Sequence, residues 1–150
     1  MNGGLGTDSD GNLYVAAFNQ NRIRKISPAG KISTALPTAT SGSIAAQLAL
    51  PTWVTLDSAN DLFYTWGGRP TLVSKFTAAS GTSRPYAGGT ACDNPGEGVA
   101  AVTSNFCPGA IATDGTGNLY ATDFTNRRVR KVSAATGARD KRGGRGSLPD

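Results

Sequence analysis

The chain has 150 residues, enough for one compact unit and too few for two well-cored domains. Its formal net charge is +5, only 17% of residues are charged, and 20 Gly with 8 Pro favour a turn-rich β protein over a helical bundle. Histidine is absent, which excludes a Ser-His-Asp or Cys-His nucleophile, a His-ligated metal and an imidazole acid–base step from these residues.

In chain order, the first unit predicts short strands near Leu5 to Thr7, Leu13 to Ala17, Ile23 to Ser27 and Ile32 to Leu36. Asp10-Gly11 and Pro28-Ala29-Gly30 supply the turns between them. A long segment, Pro37 to Leu50, then leads to Pro51, and its apolar end predicts a partly helical plug. The mostly apolar run Ile44 to Leu56 is broken by Gln47 and Pro51 and is too short to span a bilayer. The second unit carries Asp57-Ser58-Ala59-Asn60-Asp61-Leu62-Phe63-Tyr64 and Leu72-Val73-Ser74-Lys75-Phe76-Thr77, followed by a second long segment, Gly88 to Cys107. The third carries Asp114-Gly115-Thr116-Gly117-Asn118-Leu119-Tyr120 and Arg128-Val129-Arg130-Lys131-Val132-Ser133.

These blocks repeat the first unit's Asp8-Ser9-Asp10-Gly11-Asn12-Leu13-Tyr14 and Arg22-Ile23-Arg24-Lys25-Ile26-Ser27, roughly fifty residues apart. Strand-and-turn content at that period, four strands to a unit, predicts β-propeller blades. The expected fold is all-β, about three four-stranded antiparallel blades over 1–137, with blades near 4–50, 51–107 and 108–137. The last blade is expected to be incomplete, and the Gly/Arg-rich residues 138–150 to form a disordered basic tail. Three blades leave two open edges, so the chain is expected to be part of a longer propeller or to self-associate into a closed ring. The N-terminal residues carry no secretory signal pattern.

The order Pro108 to Asp114, Gly117-Asn118-Leu119-Tyr120, Asp123, Asn126, Arg128-Val129-Arg130-Lys131-Val132 resembles the NHL-repeat family of β-propellers. The resemblance runs from about Gly4 to about Gly137. It implies a binding or scaffold module that recognises a protein partner with its rim. Where the family has Asp after the second strand, units one and two have Ala17 and Trp66, so a structural ion pair between Asp123 and Arg128 is expected in unit three alone. Related enzymatic propellers, lyases and lactonase-like hydrolases, hold a metal on the central axis with His and acidic residues. A fragment of such an enzyme is the alternative reading.

Several residues follow as candidates. Trp66, Arg69, Asn19, Asn21, Phe124 and Arg127 lie in loops at equivalent blade positions and are the expected partner contacts, since aromatic and Arg residues are enriched among interface hot spots. Arg22, Arg24, Lys25, Arg127, Arg128, Arg130 and Lys131 offer a second alternative, RNA or another anionic ligand, although the aromatics needed for base stacking sit elsewhere. Cys92 and Cys107 bracket a Gly-rich loop and are the candidate disulfide, which points to an extracellular or cell-surface setting. Asp8-Ser9-Asp10-Gly11-Asn12 opens like a calcium loop, but Asn19 stands where its last ligand belongs, and a turn is the better reading. No cofactor, metal or catalytic residue is expected, and the chain is expected to be non-enzymatic.

Overall fold

A computed structural model describes residues 4–36, 50–67, 71–89, 91–93, 97–135 and 139–141. Twelve strands fold into three four-stranded antiparallel sheets, each a meander in chain order. The first holds β1 (Leu5–Thr7), β2 (Leu13–Ala17), β3 (Arg22–Ile26) and β4 (Ile32–Thr34). The second holds β5 (Pro51–Leu56), β6 (Leu62–Trp66), β7 (Leu72–Thr77) and β8 (Thr82–Gly88), and the third β9 (Pro108–Thr113), β10 (Leu119–Asp123), β11 (Arg128–Val132) and β12 (Arg139–Lys141).

The third blade, expected to lack its outer strand, has one: Val132, Lys131 and Arg130 pair with Arg139, Asp140 and Lys141. Residues 139–141 therefore belong to the blade and not to the tail; the rest of the tail, 142–150, lies outside the described residues, as does most of the predicted plug, 37–49. Among the described residues there is no α-helix, only three-residue 3-10 turns at Phe18–Gln20 and Ala101–Thr103. No helix is long and apolar enough to cross a membrane among them.

Register makes the three blades superimposable position by position. Leu13, Leu62 and Leu119 each open a second strand, paired with Ile26, Phe76 and Val132. Because side chains alternate along a strand, the next residue in each case, Tyr14, Phe63 or Tyr120, faces the other way. Each blade thus has a leading face, against the blade before it, and a trailing face, against the blade after it.

Two seams result. In the first, Tyr14, Ala16 and Ile23 of blade one pack on Val54, Leu56, Leu62 and Tyr64 of blade two. In the second, Phe63, Val73 and Ala87 pack on Ile111, Leu119, Ala121 and Val132 of blade three, and Phe106 closes the seam from the inter-blade segment. Leu62, Phe63, Tyr64 and Thr65 are consecutive and all buried, because only blade two is covered on both faces. The first strands of successive blades lie beside one another. Gly4 donates its N–H to the Thr52 carbonyl at 2.8 Å. A Cβ on Gly4 would stand 2.6 Å from the Trp53 Cα, so this approach needs glycine.

Candidate functional site

The recurrent aspartates sit at the turn between first and second strands. Asp8, Asp57 and Asp114 each accept, through Oδ1, the N–H groups two and four residues on, at 2.9–3.1 Å. The residue three positions after each Asp, Gly11, Asn60 or Gly117, has positive φ (76°, 60° and 82°), the conformation Gly and Asn adopt most readily.

Around this turn the side chains form a module. Asn12 Nδ2 and Tyr14 OH donate to Asp8 Oδ2 at 2.8 and 3.1 Å, and Lys25 Nζ lies 3.5 Å from the same oxygen. Burial pushes the Asp8 carboxyl up, but the hydrogen bonds from Asn12 and Tyr14 and the charge of Lys25 outweigh it and hold the group below its ordinary 3.8. Asn118 and Tyr120 repeat the arrangement on Asp114, and the hydrogen bonds from Asn118 and Thr116 hold that carboxyl well below the usual carboxylate range.

Blade two exchanges two members of the set at once. Asp61 replaces Asn and Phe63 replaces Tyr, removing both neutral donors to Asp57. Lys75 compensates by bridging the two carboxylates, 2.8 Å from Asp61 and 3.3 Å from Asp57, with its ammonium 4.9 Å from the Phe63 ring centre. The strand cations Lys25, Lys75 and Arg130 are thus matched by carboxylates within the fold.

The opposite rim carries the turns between second and third strands and the inter-blade segments. Here the structure gathers a buried polar cluster at the second seam. Arg130 Nε donates to Asp123 Oδ2 at 2.9 Å, and Arg130 Nη1 to Glu97 Oε1 at 2.6 Å. Asn126 Nδ2 donates to both Asp123 oxygens at 3.0 Å and to the Asp93 carbonyl at 3.1 Å. Arg130 and Asp123 are 1% and 0% exposed.

The partner expected for Asp123 is thereby corrected. Arg128 is directly opposite Asp123 in the ladder, but its Nη1 is 4.0 Å from Glu97 at the seam edge, while Arg130 reaches Asp123 diagonally in the interior. Arg130 and Glu97 were legible as charges but not as a pair, since Glu97 comes from a segment whose placement no local pattern gives. That segment is bridged by a Cys92–Cys107 disulfide, with Cα atoms 5.0 Å apart.

Of the rim candidates, Asn19 and Arg127 are exposed, and Phe124 is 88% exposed. Asn21 accepts the Leu50 N–H at 2.8 Å through its side chain, so it fastens the inter-blade connection as well as forming the turn. Trp66 is not the exposed contact its loop position suggested. It is the last residue of β6, on the same face as Leu62 and Tyr64, and its indole nitrogen is buried in the first seam. Arg69 lies outside the described residues.

Solved structures share this architecture. The virginiamycin B lyase of Staphylococcus aureus overlays with a TM-score of 0.54 at 19% identity, over 88% of this chain and 38% of that one. A gluconolactonase from Xanthomonas campestris gives 0.61 at 13% identity over 92% and 45%, and a Bacteroides thetaiotaomicron protein of unknown function gives 0.62 at 22% over 81% and 32%. The shared fold is a β-propeller, present in this chain as three four-stranded blades. No protein-family model matches the chain, and no curated protein does. The chain spans less than half the length of these solved propellers. The expectation of a non-enzymatic chain is overturned by the same comparison: propellers of this architecture include a lyase and a gluconolactonase, so the non-catalytic assignment is withdrawn.

Proposed function

We propose that these residues supply three blades of an enzymatic propeller of the lyase or lactone-hydrolase class, with NHL-type blades, whichever chain supplies the others. The observation that carries the reading is the extent of the overlay: nearly all of this chain, and under half of each named enzyme, share one fold. The recurrent Asp turn with its Leu-Tyr strand and the Arg-x-Arg-Lys strand support the NHL assignment.

Enzymes of this kind imply a metal on the axis, and the described residues do not fit one by themselves. Among them, no three of His, Cys, Asp and Glu come together, and Asp8, Asp57 and Asp114 sit at three separate turns with their oxygens bonded to the turn and its donors. No reaction step is therefore assigned to a metal here. The role of these residues is to hold part of the active-site wall rigid: two packed seams, and a buried ion cluster that fixes an inter-blade segment at one rim.

The test is turnover of gluconolactone and of virginiamycin B by the protein expressed from its complete reading frame, with Mg²⁺ or Mn²⁺ and again with a chelator. Turnover of either substrate supports the assignment. A folded protein inactive on both, at high enzyme concentration and with metal present, contradicts it.

A further inference from the structure

Of the exposed large apolar side chains among the described residues, Val99 and Val102 lie in the second inter-blade segment and the other four lie on two blade faces. Leu5 and Ile32 lie on the leading face of blade one, Phe124 and Val129 at the trailing side of blade three. The register gives their counterparts. Leu5 is 61% exposed where Val54 is 1%, and Val129 is 47% exposed where Ile23 and Val73 are 0%. Phe124 occupies the place of Phe18, whose ring lies 3.0 Å from where a Cβ on Gly67 of the next blade would stand. Both open faces are seam faces lacking the neighbouring blade.

They are also complementary to each other. Blade three's trailing face repeats the set that blade one presents to blade two, with Tyr120 for Tyr14 and Val129 for Ile23. Blade one's leading face offers branched aliphatics where blade two does, with Leu5 for Val54 and Leu13 for Leu62. We propose that a second copy of this chain occupies the leading face of blade one, docking through the trailing face of its own blade three and continuing the seam head to tail. Such a contact is heterologous, so it closes into a ring or extends, and it never pairs like face with like. The inference rests on the fold and not on the enzymatic reading, and its test involves no substrate.

The test uses two variants at exposed positions, Leu5→Glu and Val129→Glu, with circular dichroism as the check on folding and light scattering as the readout. Wild-type protein is expected at twice the monomer mass or a higher multiple, and each variant alone as a monomer. Mixing the two in equal amounts restores a two-chain species, because the intact trailing face of Leu5→Glu meets the intact leading face of Val129→Glu. A monomeric wild type, as expected if these faces are covered only by blades of a longer chain, overturns the proposal. So does loss of association in one variant alone, or a mixture that stays monomeric, since either would mean like-with-like pairing.

Discussion

Arg130 donates from Nε to Asp123 across 2.9 Å in the second seam, and neither side chain reaches solvent. Breaking a buried pair by removing one partner costs about 3–5 kcal/mol, and without Asp123 the buried Arg130 guanidinium keeps Glu97 but loses its acceptor at Nε. Asp123→Ala is therefore expected to lower the urea midpoint severely, whereas Arg128→Ala, at the half-exposed seam edge, should cost under about 1 kcal/mol. The double variant Asp123→Leu/Arg130→Met should be less destabilised than Asp123→Ala, because it removes both fully buried charges and leaves only Glu97, which is partly exposed and has Arg128 4.0 Å away.

The disulfide and the ion cluster act on one segment. Cys92 and Cys107 close a loop whose chain-entropy contribution is about 3 kcal/mol, and that loop delivers Glu97 to Arg130. Cys92→Ser/Cys107→Ser should lose about that much stability by urea titration. Glu97→Gln should cost less in this background than in the wild type, because the freed segment no longer fixes residue 97 over Arg130.

The compensation in blade two can be reversed by design. Lys75→Met should destabilise the protein by leaving Asp57 and Asp61 facing each other without the cation between them. Adding Asp61→Asn and Phe63→Tyr recreates the donor set of blades one and three, and should restore most of the loss in thermal melts.

Acid stability follows from the turn aspartates. Asp8 and Asp114 titrate lower in the folded chain than in the unfolded one. Their contribution is complete above the unfolded value near pH 4 and is lost as pH falls through the folded values. Wild-type stability should decline below about pH 4. Asp8→Asn and Asp114→Asn should be less stable at neutral pH and show a shallower acid decline, measured as urea midpoints across the range.

Much of this was legible in the chain itself. The turn Asp with Gly or Asn three residues later, the alternation through Leu13 to Ala17 and the three-fold recurrence specify strands, hairpins and blades, because turn chemistry and period agree. What failed had physical reasons. The period-2 pattern Leu62, Tyr64, Trp66 already places Trp66 on a seam, but its neighbouring Gly-Gly draws attention to a loop. The outer strand Arg139–Lys141 has no β-rich composition and forms by pairing with β11. Arg130 could not be chosen over Arg128 from the ladder, since both share a face and burial alone separates them. The Trp66 and Ser74 polar atoms, buried without hydrogen-bond partners among the described residues, stand at the blade-two equivalents of Asp123 and Arg130.

Within one chain three like blades stack face to face, and only the middle one is covered on both sides. Residue-resolved amide hydrogen exchange on the Leu5→Glu variant tests this most directly. Leu62 to Thr65 in β6 should exchange most slowly, with β2 and β10 faster and the outer strand β4 faster still. Equal protection across β2, β6 and β10, or slowest exchange at an end blade, would contradict the stacked arrangement.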